Sequence, residues 1–291
     1  MPDQFHVNPP LVPAPRLTEP LPDLAAWTQY FQNVEIPVLA ATATALEALR
    51  AIEDDVDAGM ISKAIENDPL MTLKVLAHAA SRRGGKTGTE IEAITSALLM
   101  MGIGPFFRTF VKLPTVEDRL HDQPQALQHL HELLQRAVRA GNFAVGFAVH
   151  RGDLDVGVIH LAAFLHEFPE MLMWCQAPTL CLRIFQAQEV DPTLRTASIQ
   201  RSVLNIELDD LGQELMKSRN LSELLVRISD GRHPEQPAVR NVTLAVKLAR
   251  HAAQGWENAA IPEDIEKIAE LLNAPPHIAL AYAHKIDRSA Q

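Results

Sequence analysis

The sequence predicts an all-α fold. Three observations carry that prediction. Apolar residues recur at helical spacing from Asp23 almost to the end of the chain. No alternating apolar–polar run is long enough for a strand. Aromatics make up only 5% of the 291 residues while alanine and leucine abound, a composition suited to helices packed over a light core.

The elements follow in order. Residues 1–22 hold seven prolines, which fix φ and remove amide donors, so this stretch is expected to be a disordered or extended tail. Asp23 is placed to cap a short helix through Phe31. Val38 to Ile52 sets Val38, Leu46, Leu49 and Ile52 on one stripe. Asp57 caps the next helix, with Met60, Ile61 and Ile65 apolar, and Asn67-Asp68-Pro69 ends it. Pro69 opens another helix, since a first-turn proline loses no hydrogen bond. Thr89 and Glu92 form a capping box ahead of Ile94, Leu98 and Met101, and Gly102 and Gly104 are expected to break that helix. Gln125 to Val149 reads as one long helix, and a further apolar helix is expected from Asp153. Pro178, Pro192, Asn205, Asn220 and Gly231 punctuate the helices that come next. Val239–Gln254, Pro262–Leu272 and Pro275–Ile286 complete the chain.

Composition excludes several roles. The net charge of −10 argues against a general nucleic-acid binder, because phosphate contacts need a basic face. No run reaches the ~18 uninterrupted apolar residues of a membrane span, and the N-terminus lacks a basic stretch followed by an apolar one, so a cytoplasmic protein is expected. Cys175 and Cys181 are too few for a disulfide framework and lie on apolar segments, where buried thiols are expected.

Two motifs invite a catalytic reading. Ala80 to Thr87, ASRRGGKT, satisfies a relaxed phosphate-loop pattern in which Arg82, Arg83, Lys86 and Thr87 would meet phosphates. That mechanism needs a strand before the loop, and the preceding PLMTLKVLAHAA has helical period instead. The second is His166-Glu167, inside HLAAFLHEFPEMLMW. His160 and His166 are six apart, poor spacing for joint ligation from one helix, and His131-Glu132 lacks the second histidine of a zincin. No nucleophile elbow is present.

Several stretches, in order, resemble one family, the HDOD domain, a relative of the HD metal-dependent phosphohydrolases. Ile36-Pro37-Val38-Leu39 is similar to its entry into the first helix. Asp68-Pro69-Leu70 and Ser81 fit its acidic-proline step and the end of the helix that follows, with Ala80 in place of the usual asparagine. Ala97, Met101, Gly102 and Arg108 take the places of its next two helices, so the apparent phosphate loop falls in a helix–helix connection. His166 matches the family histidine of "LLHD", but Glu167 replaces aspartate and Phe168-Pro169 replaces isoleucine-glycine. Gly212 and Leu215 fit a later helix in which Leu208 replaces histidine, and His233 stands where a histidine pair is reduced to one. Arg250 occupies the position of the distal aspartate of active HD enzymes. The resemblance spans roughly residues 24–255.

It implies a multi-helical bundle in which an N-terminal helical half packs on an HD-like half. The corresponding division is a tail (1–22), an HDOD domain (23–235) and C-terminal helices (236–291) that complete the HD-like half in one continuous body. It also implies a bacterial signal-transduction scaffold or sensor, non-catalytic and without cofactor, that binds a signalling protein or a small regulator. His166, Glu167, His233 and Arg250 would line a remnant pocket. A guanidinium cannot ligate and repels a cation, so Arg250 is expected to pair with Glu167 instead of a metal. Two alternatives stand beside this reading. One is a metal-dependent phosphohydrolase with altered ligands His160, His166, Glu167 and His233. The other is a nucleotide-binding module built on Ala80–Thr87.

Overall fold

A computed structural model describes residues 15–82, 93–191 and 193–289 of the chain. The described residues form helices and connecting turns, with a single isolated parallel bridge between Val38 and Thr115. The chain begins with α1 (Leu24–Asn33), capped by the Asp23 carboxylate, which accepts from the Ala26 amide at 2.9 Å. Six helices follow: α2 (Ala40–Arg50), α3 (Ala58–Ile65), α4 (Pro69–Arg82), α5 (Ile94–Met101), α6 (Ile103–Thr109) and α7 (Val116–Arg119). They make the N-terminal half. Its entry segment is pinned by Asp68, a fully buried carboxylate that accepts from the amides of Leu39 (2.8 Å) and Met71 (2.9 Å). Thus the acidic-proline step both caps α4 and anchors the start of α2.

The second half is built on α8 (Pro124–Arg151), the long helix expected, which ends at Gly152 in the left-handed region. Packed on it are α9 (Val156–Phe164), α10 (Phe168–Gln176) and α11 (Pro178–Val190), and on these in turn α12 (Thr196–Leu204) against α11, α13 (Leu208–Ser218) against α10 and α14 (Glu223–Ile228) against α9. Asn205 and Asn220 adopt positive φ and terminate α12 and α13 as their sequence positions suggest. The C-terminal helices are α15 (Pro237–Ala252), α16 (Ile261–Leu272) and α17 (Pro276–Ser289). α15 lies against α8 and α9 and places Val242, Ala245, Leu248 and Ala249 in the core.

Some expectations are corrected. The stretch from Asp153 is not one helix: it starts at Val156 and breaks over Leu165–Glu167. Pro169 sits in the first turn of α10, where its missing amide costs nothing, so the proline opens a new helix. Val156–Gln176 has the length and mean hydropathy (1.2) of a membrane span, but 72% of that window is buried within the fold, as core. Gly104 lies inside α6 and breaks nothing; Gly102, at φ 78°, makes the turn alone. Ile52 is 49% exposed and does not join its stripe. The capping box at Thr89 and Glu92 lies outside the described residues.

The tail is corrected in part. Residues 1–14 lie outside the described residues, but 15–22 lie against the body, with Leu17 and Leu21 packed on the core. Both cysteines are free and buried. Burial pushes the Cys175 thiol up to about 12 and Cys181 well above its usual value. Neither is expected to react with a water-soluble disulfide reagent at pH 8 until the protein unfolds, and rapid titration of either in the native state would contradict this packing.

Candidate functional site

The break between α9 and α10 creates the site. After Phe164 the chain makes a turn rather than another helical turn, with Leu165 NH on Leu161 O at 2.9 Å and Phe168 NH on Leu165 O at 3.1 Å. That turn directs the Glu167 carboxylate between α8 and α15. Its side chain is only 7% exposed. An isolated carboxylate there would be costly. Two guanidiniums from different helices compensate it. Arg136 of α8 donates through Nε (2.8 Å to Oε2) and Nη2 (2.9 Å to Oε1), a bidentate fork. Arg250 of α15 donates through Nη2 at 2.8 Å to Oε1. Burial alone would push the Glu167 carboxyl up, but the two guanidiniums outweigh it and hold it at about 2.

The surrounding groups follow the same logic. Glu170, one turn on, accepts from Trp174 Nε1 at 3.3 Å; burial and the neighbouring Glu167 charge raise its carboxyl above the ordinary range. His166 is partly buried beside Glu167, with Asp209 and Arg250 within electrostatic reach, and burial lowers its basicity. α13 closes over the break at Gly212. A Cβ there would stand 2.9 Å from Pro169 Cγ, so only glycine lets the two helices approach this closely. Gly212→Val is expected to cost ~1–3 kcal/mol through overpacking, read as a lowered thermal midpoint. An unchanged midpoint would mean that α13 does not rest on Pro169.

The expected residues are therefore only partly assembled. His166, Glu167 and Arg250 come together. His233 does not: it sits on the turn after α14, half exposed, against Asp230 (4.0 Å) and Glu235 (3.3 Å). The turn that carries it faces solvent instead of the break. His160 also lies apart, stacked on Phe164 with ring centroids 5.3 Å apart and pressed towards Gly141 of α8. At the other motif, Arg82 is exposed at the end of α4, while Arg83, Lys86 and Thr87 lie outside the described residues. The segment leading into that loop is helix α4, not a strand. Sequence reading missed Arg136. Its signal was present: it lies on the stripe of Leu133, Ala140 and Phe143, a charge where α8 otherwise buries apolar groups.

This donor set does not fit a divalent metal. Among the described residues no group of three or more His, Cys, Asp or Glu side chains is placed to hold an ion. Both oxygens of Glu167 already accept guanidinium N–H groups. At 4 Å and an effective dielectric of about 20, like unit charges repel by ~4 kcal/mol, and a divalent ion would feel about twice that from each arginine.

The HDOD domain family matches residues 36–234. The chain belongs to the HDOD domain family. Within it, Arg136 and Glu167 fall inside the matched region, and Arg250 lies beyond it on α15. Among solved structures, the HDOD chain is similar to a virulence factor from Campylobacter jejuni, with a TM-score of 0.63 at 15% identity, over 92% of this chain and 100% of the other. It is also similar to the MmoQ response regulator from Methylococcus capsulatus, with a TM-score of 0.60 at 17% identity, over 82% of this chain and 98% of the other. These likenesses establish the shared fold. No curated protein matches the chain.

Proposed function

We propose that this HDOD chain is a non-catalytic scaffold or sensor of bacterial signal transduction, working in the cytoplasm through a protein partner or a small regulator. The observation that carries the reading is the saturation of Glu167 by Arg136 and Arg250, where a metal-dependent phosphohydrolase would need open ligands. The likeness to MmoQ, itself a response regulator, supports placement in signalling. The charge of −10 supports a partner other than nucleic acid. Residues 23–235 act as the HDOD unit, and 236–291 complete it by supplying Arg250.

The test is a hydrolysis panel of phosphomonoesters, nucleotides and cyclic dinucleotides, each with Mn²⁺, Ni²⁺ or Zn²⁺ added. No turnover is expected. Turnover abolished by His166→Ala would overturn the reading in favour of a phosphohydrolase. The same nucleotides in a metal-free thermal-shift series separate the two versions of the role, because a ligand at ~100 times its dissociation constant adds about 2.7 kcal/mol. A shift identifies a sensor, and a flat series a scaffold for a protein.

A further inference from the structure

The segment ahead of α1 crosses the seam between the two halves. At its start, Arg16 forms a bidentate pair with Asp122, just after α7, with contacts of 2.7 and 2.5 Å. Next, the Leu17 amide donates to the Gln176 carbonyl, at the end of α10, at 2.7 Å. Further on, Asn205 Nδ2, in the turn after α12, donates to the Leu21 carbonyl at 2.9 Å. Arg16 also donates to the Arg119 carbonyl at the end of α7 at 3.4 Å, so residues 16–21 are tied to the N-terminal half through Arg16 and to the HD-like half through Leu17 and Leu21.

These attachments are few and near solvent. The Arg16 and Asp122 side chains are 26% and 45% exposed, and exposed ion pairs are weak and screened by salt. Leu17 and Leu21 are only partly buried. Such a segment belongs to the low-stability end of a fold, where opening occurs without global unfolding. Its central attachment, meanwhile, is made to a rigid element. α10 is nine residues long; Gln176 at its C-terminus receives the segment, and Glu167 at its N-terminus receives Arg136 and Arg250. The Gln176 side chain is held as well, with Tyr30 Oη at 3.4 Å from Oε1 and Arg119 Nη2 at 2.6 Å.

We propose that residues 16–21 form a releasable strap across the seam, and that α10 transmits the strap's state to the arginine–glutamate cluster at its other end. A partner that competes for Asp122 would thereby loosen the Glu167 cluster without touching it. Linkage makes this reciprocal: loosening the cluster must also loosen the strap. The inference stands whether or not the chain proves catalytic.

The test is hydrogen exchange of the full chain, resolved by residue. Asp122→Asn is expected to speed exchange several-fold at the Leu17 amide, and also at Phe168 and Met171 in the first turn of α10, while amides of α16 and α17 keep their rates. The charge swap Arg16→Asp with Asp122→Arg should restore both regions. Conversely, Arg250→Ala should speed exchange at Leu17. Acceleration confined to residues 15–22 would overturn the transmission through α10. Equal acceleration everywhere would also overturn the proposal, because it would report global destabilisation rather than a strap.

Discussion

Glu167→Gln is expected to destabilise the protein by ~2–4 kcal/mol, the cost of leaving the largely buried Arg136 without its counter-ion, with Arg250, 49% exposed, adding little because solvent screens it. The glutamine keeps the shape but not the charge, so Arg136 and Arg250 would face one another across a neutral amide. Denaturant unfolding at pH 7 measures the loss. Its pH dependence is a sharper test. The Glu167 carboxyl is held at about 2, against an ordinary 4.5. A depressed carboxylate stabilises the fold fully above its unfolded value and loses that contribution as pH falls through the folded one. The stability gap between wild type and Glu167→Gln should therefore be wide at pH 6 and shrink between pH 4.5 and 2. Asp68, raised by burial, acts with the opposite sign but is common to both proteins and cancels in the difference. Glu170 is raised in part by the Glu167 charge, so that part is lost in Glu167→Gln and narrows the gap at the upper end of the range without reversing it. A gap independent of pH would show that Glu167 is not ionised in the fold.

Asp287→Ala is expected to cost a similar ~3–5 kcal/mol and to release the last helix. Asp287 is 7% exposed on α17 and accepts both arms of Arg139 of α8 at 2.5 Å, as well as Trp256 Nε1 at 3.0 Å. Removing it leaves a guanidinium beneath α17 without its counter-ion and orphans an indole N–H. The same helix seats Ile286 against Gly146, where even one added Cβ would lie 2.3 Å from Ile286 Cδ1, and Tyr282 Oη donates to the Gly146 carbonyl at 2.9 Å. Loss of the ion pair should expose Trp256, read as a red-shifted fluorescence before the main unfolding transition. A single unshifted transition with unchanged stability would contradict the assignment.

These two clusters show what sequence could and could not reveal. Helix positions were legible because their signals are local: Asp23 and Asp57 at caps, Pro69 and Pro178 at first turns, Asn205 and Asn220 at left-handed ends. The pairing of Arg250 with Glu167 was legible through a family position, since an arginine at a ligand's place demands an acid. The break between α9 and α10 was obscured because Val156–Gln176 is apolar throughout and buries both halves alike. Arg136 escaped notice for a different reason. A charged residue on a helix is usually solvated, and its burial depends on an acid 31 residues away that only the turn at Leu165–Glu167 directs towards it. His233 was misplaced because order along the chain does not say which way a turn faces. The docking of residues 15–22 likewise rests on distant partners, Asp122, Gln176 and Asn205, to which proline content gives no clue.

Two arginines occupy the Glu167 oxygens that a metal would need. Isothermal titration of Mn²⁺, Ni²⁺ and Zn²⁺ into chelator-treated protein, with His166→Ala as the control, tests this occupancy most directly. No stoichiometric binding to either protein is expected, and the thermal midpoint should be unchanged after chelation. One ion bound per chain in the wild type and none in His166→Ala would contradict it.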